Sequence, residues 1–586
     1  MEQAKPKKGL GWLLKSIGKL SGPFLFKSEF ALKAWLLFAA DIVVMVLISM
    51  VTVRNNRWYM DFTNAFTNND VKLFWTQIKV FCSTAVIMII ATICRAYVEG
   101  WISLRWREYL TKRYMIEWIA EGKHYKMQLT GNLMDNPDQR ITEDVTLFLV
   151  TMITQVLALI SSLMTFGSFV VVLWNLSSSM PLYFVEGGTN FGFPGFLVIF
   201  AVLYAVIATF IAHLSGKPLA KLTFVQQRLE ADFRYSLVRI RENSEQIALL
   251  RGEGIELKKR SALFGNILGN TFRTMKRTFG FSAISVSFFI LDALIVNLIL
   301  GPTYFMGYIT GGYGAITQIS NAITTVNTTF LFFRTFYVQF AAWAAVIDRL
   351  VAFEDDAKRT EKVIKESKVR LGRQSADKID IKNLSVALPN GAELIKVNDV
   401  EIKRGEKVLI KGRTGAGKTT LFRVIAGIWP FGAGSVTEPE GKSVFMLPQK
   451  PYIPIGTLAE AICYPDDVDS YTKDQLVDAL RDAGMDNFIP RLDEHGYWDT
   501  VLSGGEQQRV AVARAVLHKP DYMFFDEATA SMDEPSEQEL YTRLLERMKD
   551  SAIVSIGHRS SLEKFHKRML YAKPDASGVT VLQDSE

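Results

Sequence analysis

Long apolar stretches fill the first 350 residues of this 586-residue chain, and shorter segments of mixed polarity follow them. As a helix, about 20 apolar residues are long enough to cross the hydrocarbon core of a bilayer. The pattern therefore predicts six membrane-spanning helices, followed by a part that lies outside the membrane. The six stretches cover residues 34–53, 80–97, 147–173, 196–214, 281–300 and 313–340.

The sixth stretch differs from the others because polar residues interrupt it. A polar helix in a membrane faces other helices or a water-filled path more often than lipid. We therefore expect this helix to line a path through the membrane. Its polar residues are Thr317, Gln318, Ser320, Asn321, Thr324, Thr325 and Asn327.

The distribution of Lys and Arg predicts how these helices are oriented, because cytoplasmic loops carry an excess of basic residues. Segments 99–144 and 215–280 are rich in Lys and Arg, whereas segments 175–193 and 301–312 contain none. The basic segments and both termini are therefore expected in the cytoplasm. Only the first outer loop dilutes the pattern, with Arg54, Arg57, Lys72 and Lys79.

The two basic segments are longer than ordinary loops and contain few turn signals. Helical spacing through residues 105–121 and 224–250 predicts that membrane helices continue well into the cytoplasm. We expect the first pair to turn near Asn136-Pro137.

Charged residues also lie within or beside the apolar stretches. Arg95 and Glu99 are four residues apart near an interface, which favours an ion pair with a snorkelling arginine. For Asp41 and Asp292 two interpretations stay open, namely contact with a substrate or proton and a hydrogen bond between helices.

The overall charge balance raises the question of a nucleic-acid partner. The net charge is +7 and the sequence pI is about 9.0, a balance that is compatible with nucleic-acid binding. Because the Lys and Arg residues lie in loops between apolar stretches, we expect no nucleic-acid partner. The three cysteines, Cys82, Cys94 and Cys463, predict no disulfide framework.

Changes in composition divide the chain into four parts. Residues 1–30 are basic, show no cleavable signal peptide and are predicted to form a cytoplasmic lead-in. Residues 31–353 are predicted to be a polytopic α-helical membrane domain with two long cytoplasmic extensions. Residues 354–378 are rich in charged residues and are predicted to be a linker. Residues 379–586 show the pattern of short strands and helices that is typical of an α/β domain.

A glycine-rich loop in the α/β domain has the features of a phosphate-binding loop. Strand-forming residues 407–411 precede it and helix-forming residues 420–427 follow it, as a phosphate loop requires. Backbone N–H groups and the helix N-terminus would hold phosphates, Lys418 would reach the β- and γ-phosphates, and the Thr419 hydroxyl would bind Mg²⁺. The predicted nucleotide-binding residues are Gly412, Arg413, Thr414, Gly415, Ala416, Gly417, Lys418, Thr419 and Thr420.

A second apolar strand, residues 522–525, ends in two carboxylates, Asp526 and Glu527. A carboxylate at such a strand end beside a phosphate loop holds Mg²⁺, which predicts Asp526 as a metal ligand. Glu527 is then placed to polarise a water molecule for attack on the γ-phosphate. His558 follows another short apolar strand and is a candidate for a γ-phosphate contact.

The order of these motifs resembles the nucleotide-binding domain of ABC transporters. The matching features are the phosphate loop, Gln449 in Leu-Pro-Gln-Lys-Pro-Tyr, the Leu-Ser-Gly-Gly-Glu-Gln signature at 502–507, the Asp526-Glu527 pair, the loop 531–533 and His558. The resemblance implies ATP and Mg²⁺ as cofactors and a P-loop ATPase that dimerises head to tail.

In such a dimer each ATP would lie between the phosphate loop of one chain and the signature of its partner. The signature residues named for this contact are Ser503, Gly504, Gly505 and Glu506. The resemblance also implies that Gln449 senses Mg²⁺ and the attacking water, as a metal contact and as a third member of the catalytic set. One position departs from the family, because Leu388 stands where an aromatic residue usually stacks on adenine, so the adenine contact stays open.

The membrane part resembles a narrower group, the SbmA/BacA-like and peroxisomal ABCD-like half-transporters. The resemblance is carried by residues 135–141, 232–237, 241–245 and 447–449. It implies an exporter-type fold with six spans and a homodimer, and several members of the group import their substrates.

The resemblance implies ATP-driven transport of a peptide-like or bulky amphipathic or hydrophilic compound across a bacterial inner membrane. The partners expected are a second copy of the chain, the lipid bilayer and the transported substrate. One alternative is a fatty acid or acyl-CoA transporter of the ABCD type. An alternative of another class is an ATP-gated channel, which the complete catalytic set disfavours.

Overall fold

The structure is a computed structural model, which describes residues 10–130, 136–178, 180–309, 311–575 and 578–584. The chain divides into two compact units. The first unit comprises Met1–Met115 and Asn136–Ala352, and the second comprises Ile116–Asp135 and Phe353–Glu586. The second unit therefore includes a segment from within the predicted membrane domain, in addition to the predicted α/β domain.

Long helices build the first unit. Several exceed 40 residues, because the apolar segment and the polar segment that adjoins it form one continuous helix. Short π-helical segments interrupt them at Pro23–Lys27 and Arg140–Asp144, and a 3₁₀ turn at Ala120–Gly122 ends the third helix. The helices in chain order are α1 (Leu10–Gly22), α2 (Ala31–Thr67), α3 (Val71–Ile119), α4 (Lys123–Leu129), α5 (Pro137–Gln139), α6 (Val145–Ser178), α7 (Phe196–Glu242), α8 (Ser244–Leu249), α9 (Glu253–Phe305) and α10 (Gly312–Lys365).

Four helical segments in the described part of the chain are long and apolar enough to cross a membrane. They are Ala31–Thr67, Val71–Leu129, Pro137–Ser178 and Phe196–Glu242. The fifth predicted stretch lies in the continuous helix α9, whose searched residues include the apolar segment Leu294–Phe305. The sixth lies in α10, whose polar residues dilute its hydropathy. Over the described residues, length and composition therefore support four of the six predicted spans.

The polar residues of α10 are accommodated within its own helix and against its neighbours. The Thr325 hydroxyl donates to the Asn321 carbonyl at 2.8 Å, and the Asn321 amide donates to the Thr317 carbonyl at 3.0 Å. Such bonds satisfy side chains that would otherwise be unpaired in an apolar setting. From α2, the buried Asn56 amide donates to the Gln318 carbonyl at 3.0 Å. This part of α10 therefore faces another helix, as its polarity predicts.

The charged residues of the first two spans come together. Asp41 on α2 is fully buried, and the Arg95 Nε on α3 lies 3.7 Å from its Oδ1. The same Nε donates to Glu99 Oε1 at 2.8 Å, so the predicted Arg95–Glu99 pair is present. Asp41 thus has an ionic contact between helices. The side chain of Asp292 lies outside the described part of the structure.

A twisted ten-stranded sheet forms the centre of the second unit. Its order is β1-β5-β2-β3-β12-β11-β4-β10-β9-β6, with parallel pairing from β11 through β4, β10 and β9 to β6. The strands are β1 (Lys368–Gln374), β2 (Lys378–Ala387), β3 (Glu393–Lys403), β4 (Lys407–Gly412), β5 (Gly432–Pro439), β6 (Val444–Leu447), β9 (Tyr522–Asp526), β10 (Ala552–Ile556), β11 (Arg568–Pro574) and β12 (Thr580–Asp584), with β7 (Gly456–Thr457) and β8 (His495–Gly496) pairing apart.

Helices pack on both faces of this sheet, since its central strands are apolar on both sides. The strand β10 is buried at all five positions, as expected of a central parallel strand. Three 3₁₀ turns connect other elements, at Val468–Ser470, Asp486–Arg491 and Ser560–Phe565. The helices are α11 (Lys418–Ile425), α12 (Leu458–Cys463), α13 (Lys473–Asp482), α14 (Trp498–Val501), α15 (Gly504–His518) and α16 (Glu534–Arg547).

The segment 354–378 differs from the predicted linker. Its first part continues α10 to Lys365, and Lys368–Gln374 forms β1, which pairs in parallel with β5. The strand is an edge strand whose seven positions include no fully buried residue. Its sequence therefore carries little hydrophobic signal, and the pairing depends on a partner more than 60 residues further along the chain.

The segment around α4 packs on the helix that follows the glycine-rich loop. The Arg423 guanidinium on α11 lies 5.9 Å from the centre of the Tyr125 ring, and Leu129 packs against the core under the sheet. The Thr130 and Thr360 hydroxyls lie 3.1 Å apart. These contacts explain why Ile116–Asp135 belongs to the second unit, and they lie close to the predicted turn near Asn136-Pro137.

Candidate functional site

The predicted strand–loop–helix is present around the phosphate loop. The strand β4 ends at Gly412, and α11 begins at Lys418 after a loop that closes with Gly417 in a left-handed conformation, φ +85°. A Cβ at Gly417 would lie 2.8 Å from the Leu394 side chain. Both the backbone conformation and the close neighbour therefore require glycine at this position.

Lys418 is held at the centre of the loop by the chain's own carbonyl groups. Its Nζ donates to the Gly412 carbonyl at 2.7 Å and to the Arg413 carbonyl at 2.9 Å. Burial lowers the pKa of Lys418 below its ordinary value, and the nearby Glu527 and Asp526 carboxylates act in the opposite direction. The ammonium group therefore lies where phosphate oxygens would enter, with acidic groups nearby that favour its charged form.

Thr419 and Asp526 form a pair of oxygen ligands at the edge of the sheet. The Thr419 hydroxyl donates to Asp526 Oδ1 at 2.9 Å. Burial raises the pKa of Asp526, and the bond from Thr419 opposes this rise. A hydroxyl and a carboxylate beside a phosphate site are the hard oxygen donors that Mg²⁺ takes up. The two residues fit the predicted metal site, where a divalent cation would favour the ionised form of Asp526.

Glu527 is held on both carboxylate oxygens by the two other residues of the predicted catalytic set. The Gln449 amide donates to Oε2 at 2.9 Å, and His558 Nε2 lies 3.2 Å from Oε1. The backbone at Glu527 is left-handed, with φ +49°, and its N–H donates to the Ile556 carbonyl at 3.2 Å. Such backbone strain in a non-glycine residue is concentrated at functional sites. The structure thus brings Gln449, Glu527 and His558 together.

The signature forms the beginning of α15. Ser503 is the N-cap residue, and its N–H donates to Glu506 Oε2 at 2.8 Å while the Glu506 N–H donates back to the Ser503 hydroxyl at 3.4 Å. A capping box of this kind fixes the first turn of a helix. Over the residues that the structure describes, no hydrogen bond or ion pair joins Ser503, Gly504, Gly505 or Glu506 to the phosphate loop.

Sequence reasoning missed Gln508, which connects the signature helix to the predicted catalytic set. This buried side chain donates to the Gln449 carbonyl at 3.4 Å and accepts from the Ser531 N–H at 3.0 Å. It thereby joins α15 to two loops near Glu527. Its place directly after the matched signature was the only signal in the sequence that could have pointed to it.

Arg559 is a second residue that the sequence left without a role. Its guanidinium donates to the Met532 carbonyl at 2.8 Å and to the Ala530 carbonyl at 3.1 Å. It thus holds the loop 531–533, one of the matched motifs, beside His558. Leu388 is half-buried against the core, while Leu394 borders the phosphate loop at Gly417. The adenine contact therefore stays open, with aliphatic residues at the expected position.

Comparison with known families matches both parts of the chain. Residues 23–300 match the family described as "ABC transporter transmembrane region 2", and residues 395–530 match the family described as "ABC transporter". An uncharacterized ABC transporter ATP-binding protein of Haemophilus influenzae is 34% identical over 536 residues, which cover 91% of this chain and 88% of that protein.

Two further relatives and one solved structure extend the comparison. The inner membrane ABC transporter ATP-binding protein YddA of Escherichia coli is 28% identical, covering 90% of this chain and 92% of its own. ABC transporter D family member 2, chloroplastic, of Arabidopsis thaliana is also 28% identical, and the match covers 95% of this chain and 86% of that protein. A bacterial Atm1-family ABC exporter solved with ATP bound has the same fold, with a TM-score of 0.67 at 17% identity over 93% of this chain and 94% of that one.

The fold of that exporter agrees with the helical unit and the α/β unit described above. The motifs gathered around Lys418 and Glu527 lie in the part of the chain that matches the ATPase family. The chain therefore belongs to the ABC transporter family, as a half-transporter in which a transmembrane region is fused to an ATPase domain that couples ATP hydrolysis to transport.

Proposed function

We propose that this half-transporter acts as a homodimer in a bacterial inner membrane, with the ATPase domain in the cytoplasm, and moves a peptide-like or bulky amphipathic or hydrophilic compound. The excess of Lys and Arg in segments 99–144 and 215–280 supports this orientation. The similarity to YddA, an inner membrane protein, supports the location. The motifs shared with the SbmA/BacA-like group support the substrate class and leave import as one direction of transport.

One observation carries the homodimer. The phosphate loop, the Asp526-Glu527 pair, Gln449 and His558 lie together, whereas among the described residues the signature is bonded within its own helix and not to that loop. A nucleotide bound at Lys418 thus lacks the contact that the family supplies from its signature. A second copy, placed head to tail, would bring its own Ser503 and Gly505 to this nucleotide, and two ATP molecules would join the two domains.

Each residue of the site would have a distinct role in hydrolysis. Lys418 and the loop N–H groups would bind the phosphates, and Thr419, Asp526 and Gln449 would hold Mg²⁺, which neutralises the charge of the β- and γ-phosphates. Glu527 would polarise the attacking water, and the hydrogen bond from Gln449 fixes the orientation of its carboxylate. His558 would contact the γ-phosphate.

The exposed tip between α7 and α9 supports a partner copy. Leu249 and Leu250 are 75% and 82% exposed, and Ile255 and Leu257 are also largely exposed. A cluster of exposed apolar side chains is more often part of an interaction surface than a surface that stays in contact with water. Here the cluster lies at the cytoplasmic end of a long helical hairpin. We propose that the partner's ATPase domain covers this tip, and that α9 and α10 complete six spans.

We test the proposed base with Glu527→Gln, which keeps the shape of the side chain and removes its charge. Turnover of ATP is expected to fall by a factor on the order of 10²–10⁴, while binding of a fluorescent ATP analogue stays at the wild-type level. Glu534→Gln, in the first turn of α16, is the matched control with unchanged turnover. Near-normal hydrolysis by Glu527→Gln would remove Glu527 from this role.

The substrate class is tested with purified protein in liposomes. Labelled peptides, cobalamin and acyl-CoA are compared for stimulation of ATPase activity and for the side of the membrane that each reaches. Stimulation by acyl-CoA alone would favour the ABCD-type alternative. The similarity to the Arabidopsis D-family protein supports testing this alternative. Ion currents that persist in Glu527→Gln with ATP bound would favour a channel over a pump.

A further inference from the structure

A pocket between α7 and α9 has no role in the nucleotide chemistry, and we propose that it binds the headgroup of an anionic phospholipid of the inner leaflet. It encloses about 880 Å³ and lies within the first unit. We call it the basic pocket and define it by six of its lining residues. These are Lys221, Asn270, Arg273, Lys276, Arg277 and Phe281.

The position of the basic pocket matches the boundary between membrane and cytoplasm. Its first residue on α7, Ser215, directly follows the fourth apolar stretch, and Phe281 on α9 begins the fifth. Along α9 the basic side chains precede Phe281 and Ile284, so one side of the pocket is charged and the other is apolar. A phospholipid presents the same two surfaces, a charged headgroup and acyl chains. This step rests on the proposed orientation and not on the proposed substrate.

The cations of the basic pocket have no carboxylate of their own. Neither α7 between residues 215 and 229 nor α9 between residues 257 and 291 contains an Asp or Glu. Over the described residues, Lys221, Arg273, Lys276 and Arg277 form no ion pair. Unneutralised charges in a concave site raise the local potential and attract anions. Basic pockets between membrane helices on the cytoplasmic side bind anionic lipid headgroups for this reason.

A buried polar atom supplies a second, independent observation. Asn270 is only 3% exposed, and its amide nitrogen donates to the Leu222 carbonyl at 3.0 Å and to Gln226 Oε1 at 2.9 Å. These two acceptors fix the orientation of the amide. Asn270 is one of the residues that line the pocket, and its buried Oδ1 has no hydrogen-bond partner among the described residues. A buried acceptor without a donor is destabilising.

Together the two observations describe the ligand. The four exposed cations favour an anion, and a donor such as a hydroxyl group close to that anion would satisfy Asn270 Oδ1. A phosphoglycerol headgroup carries both, because its phosphate is charged and its glycerol hydroxyls donate. The same chemistry would be offered by a soluble glycerol phosphate, whereas the apolar side at Phe281 and Ile284 favours a form that is anchored by acyl chains.

The first test measures lipid binding by the full-length protein in nanodiscs of phosphatidylcholine with increasing fractions of phosphatidylglycerol. Native mass spectrometry counts the bound phosphatidylglycerol molecules. Removing two charges in Lys276→Gln/Arg277→Gln is expected to lower the apparent affinity roughly 10- to 30-fold. The control Arg228→Gln/Lys258→Gln removes one Arg and one Lys from the same two helices outside the pocket, and it is expected to bind like the wild type.

Retained binding of a fluorescent ATP analogue and an unchanged elution volume show that both variants are folded. Equal losses in the pocket variant and the control would overturn the proposal, because they would reduce it to the general attraction of a basic protein for an anionic membrane. The absence of any preference for phosphatidylglycerol over phosphatidylcholine would also overturn it, as expected if a second copy covers the pocket.

The second test separates the roles of charge, hydroxyl group and acyl chains. Phosphatidylmethanol carries the same charge as phosphatidylglycerol but has no hydroxyl donor, and we expect it to bind about 2- to 10-fold more weakly, as the loss of one hydrogen bond implies. Soluble glycerol phosphate is expected not to displace phosphatidylglycerol at millimolar concentration. Equal binding of the two lipids would overturn the role of Asn270, and displacement by glycerol phosphate would overturn the lipid as the source of the anion.

Discussion

The phosphate loop depends on the absence of a side chain at Gly417. The backbone there has φ +85°, and a Cβ would lie 2.8 Å from Leu394 Cγ and 3.1 Å from Ile395 Cγ2. Gly417→Ala is therefore expected to weaken ATP-analogue binding about 10-fold or more, since strained backbone of this kind costs about 1–3 kcal/mol before any clash. The measurement is a fluorescence titration with the ATP analogue.

Gly441→Ala is the matched control for this substitution. Gly441 also has a left-handed backbone, with φ +72°, but a Cβ there would have no neighbour within 4 Å. It should destabilise the fold slightly and leave ATP-analogue binding unchanged. If Gly417→Ala bound the analogue as tightly as the control does, the close packing of Leu394 against the loop would not be what shapes the site.

Lys407 is expected to make the stability of the ATPase domain depend on pH. Its Nζ donates to the Met548 carbonyl at 3.1 Å and to the Ser551 carbonyl, and burial lowers the pKa of Lys407 from 10.5 to about 8. Between these two values the unfolded chain binds more protons than the folded chain does, so stability contributed by this group rises with pH. Below about pH 8 the buried charge is present in the folded state and destabilises it.

The pH dependence is measured as the difference in thermal midpoint between the wild type and Lys407→Met, which keeps the aliphatic stem. At pH 7.5 the thermal midpoint of Lys407→Met is expected to be the higher of the two. We expect this difference to shrink as pH increases to 9.5, because the wild-type lysine loses its proton over that range. A difference that stays constant from pH 7.5 to 9.5 would show that Lys407 keeps its proton in the folded state.

Between elements, α4 contacts α11 and follows α3 along the chain, so we propose this contact as a route from the nucleotide to the membrane helices. Tyr125 on α4 faces the Arg423 guanidinium on α11, a helix that begins at Lys418. Tyr125→Ala removes this cation–π contact and is expected to lower the amount of substrate transported per ATP hydrolysed, with basal ATPase activity retained. The assay is transport and phosphate release measured on the same liposomes.

Tyr125→Phe keeps the aromatic ring and is expected to transport as much substrate per ATP hydrolysed as the wild type, because the face of the ring attracts the cation. Loss of coupling in Tyr125→Phe as well would point to the hydroxyl group instead. Full coupling in Tyr125→Ala would show that the aromatic contact with α11 is dispensable, and that Leu129 and Thr130 hold α4 in place without it.

The sequence predicts the strands that adjoin the motifs, but it does not predict contacts between distant elements. The strand before Gly412 and the strand before Asp526 were predictable, because each is a short apolar run directly beside its motif. The strand β1 was not, since only Val369 and Leu371 alternate in it and its partner β5 lies far along the chain. Gln508 and the basic pocket were missed for the same reason, as their partners come from other elements.

For the whole molecule, a head-to-tail dimer predicts that two different defects can compensate each other. Lys418→Ala removes the phosphate-binding ammonium group from its own chain, and Gly505→Asp places a negative charge where the partner's nucleotide would lie. A Cβ at Gly505 would lie 3.5 Å from its nearest neighbour, the Ser531 carbonyl oxygen, which is an ordinary van der Waals distance. Each variant alone is expected to form inactive homodimers.

A heterodimer of the two variants, isolated with two affinity tags, contains one site with both defects and one intact site. Its ATPase activity is expected to rise above that of either homodimer, up to about half of the wild-type value, because two sites related by a dyad contribute equally. Wild-type chains carrying the same two tags serve as the control. Absence of any recovery in the heterodimer would contradict a site shared between two copies.

The contacts of Glu527 bear on how the transporter behaves when it has nothing to carry. Gln449 and His558 already occupy both oxygens of that carboxylate. A water molecule at the proposed base would have to share this carboxylate with Gln449 and His558, and Gln508 ties Gln449 to the signature helix. We therefore expect the rate of ATP hydrolysis without a substrate to depend on the same few side chains that we propose for catalysis.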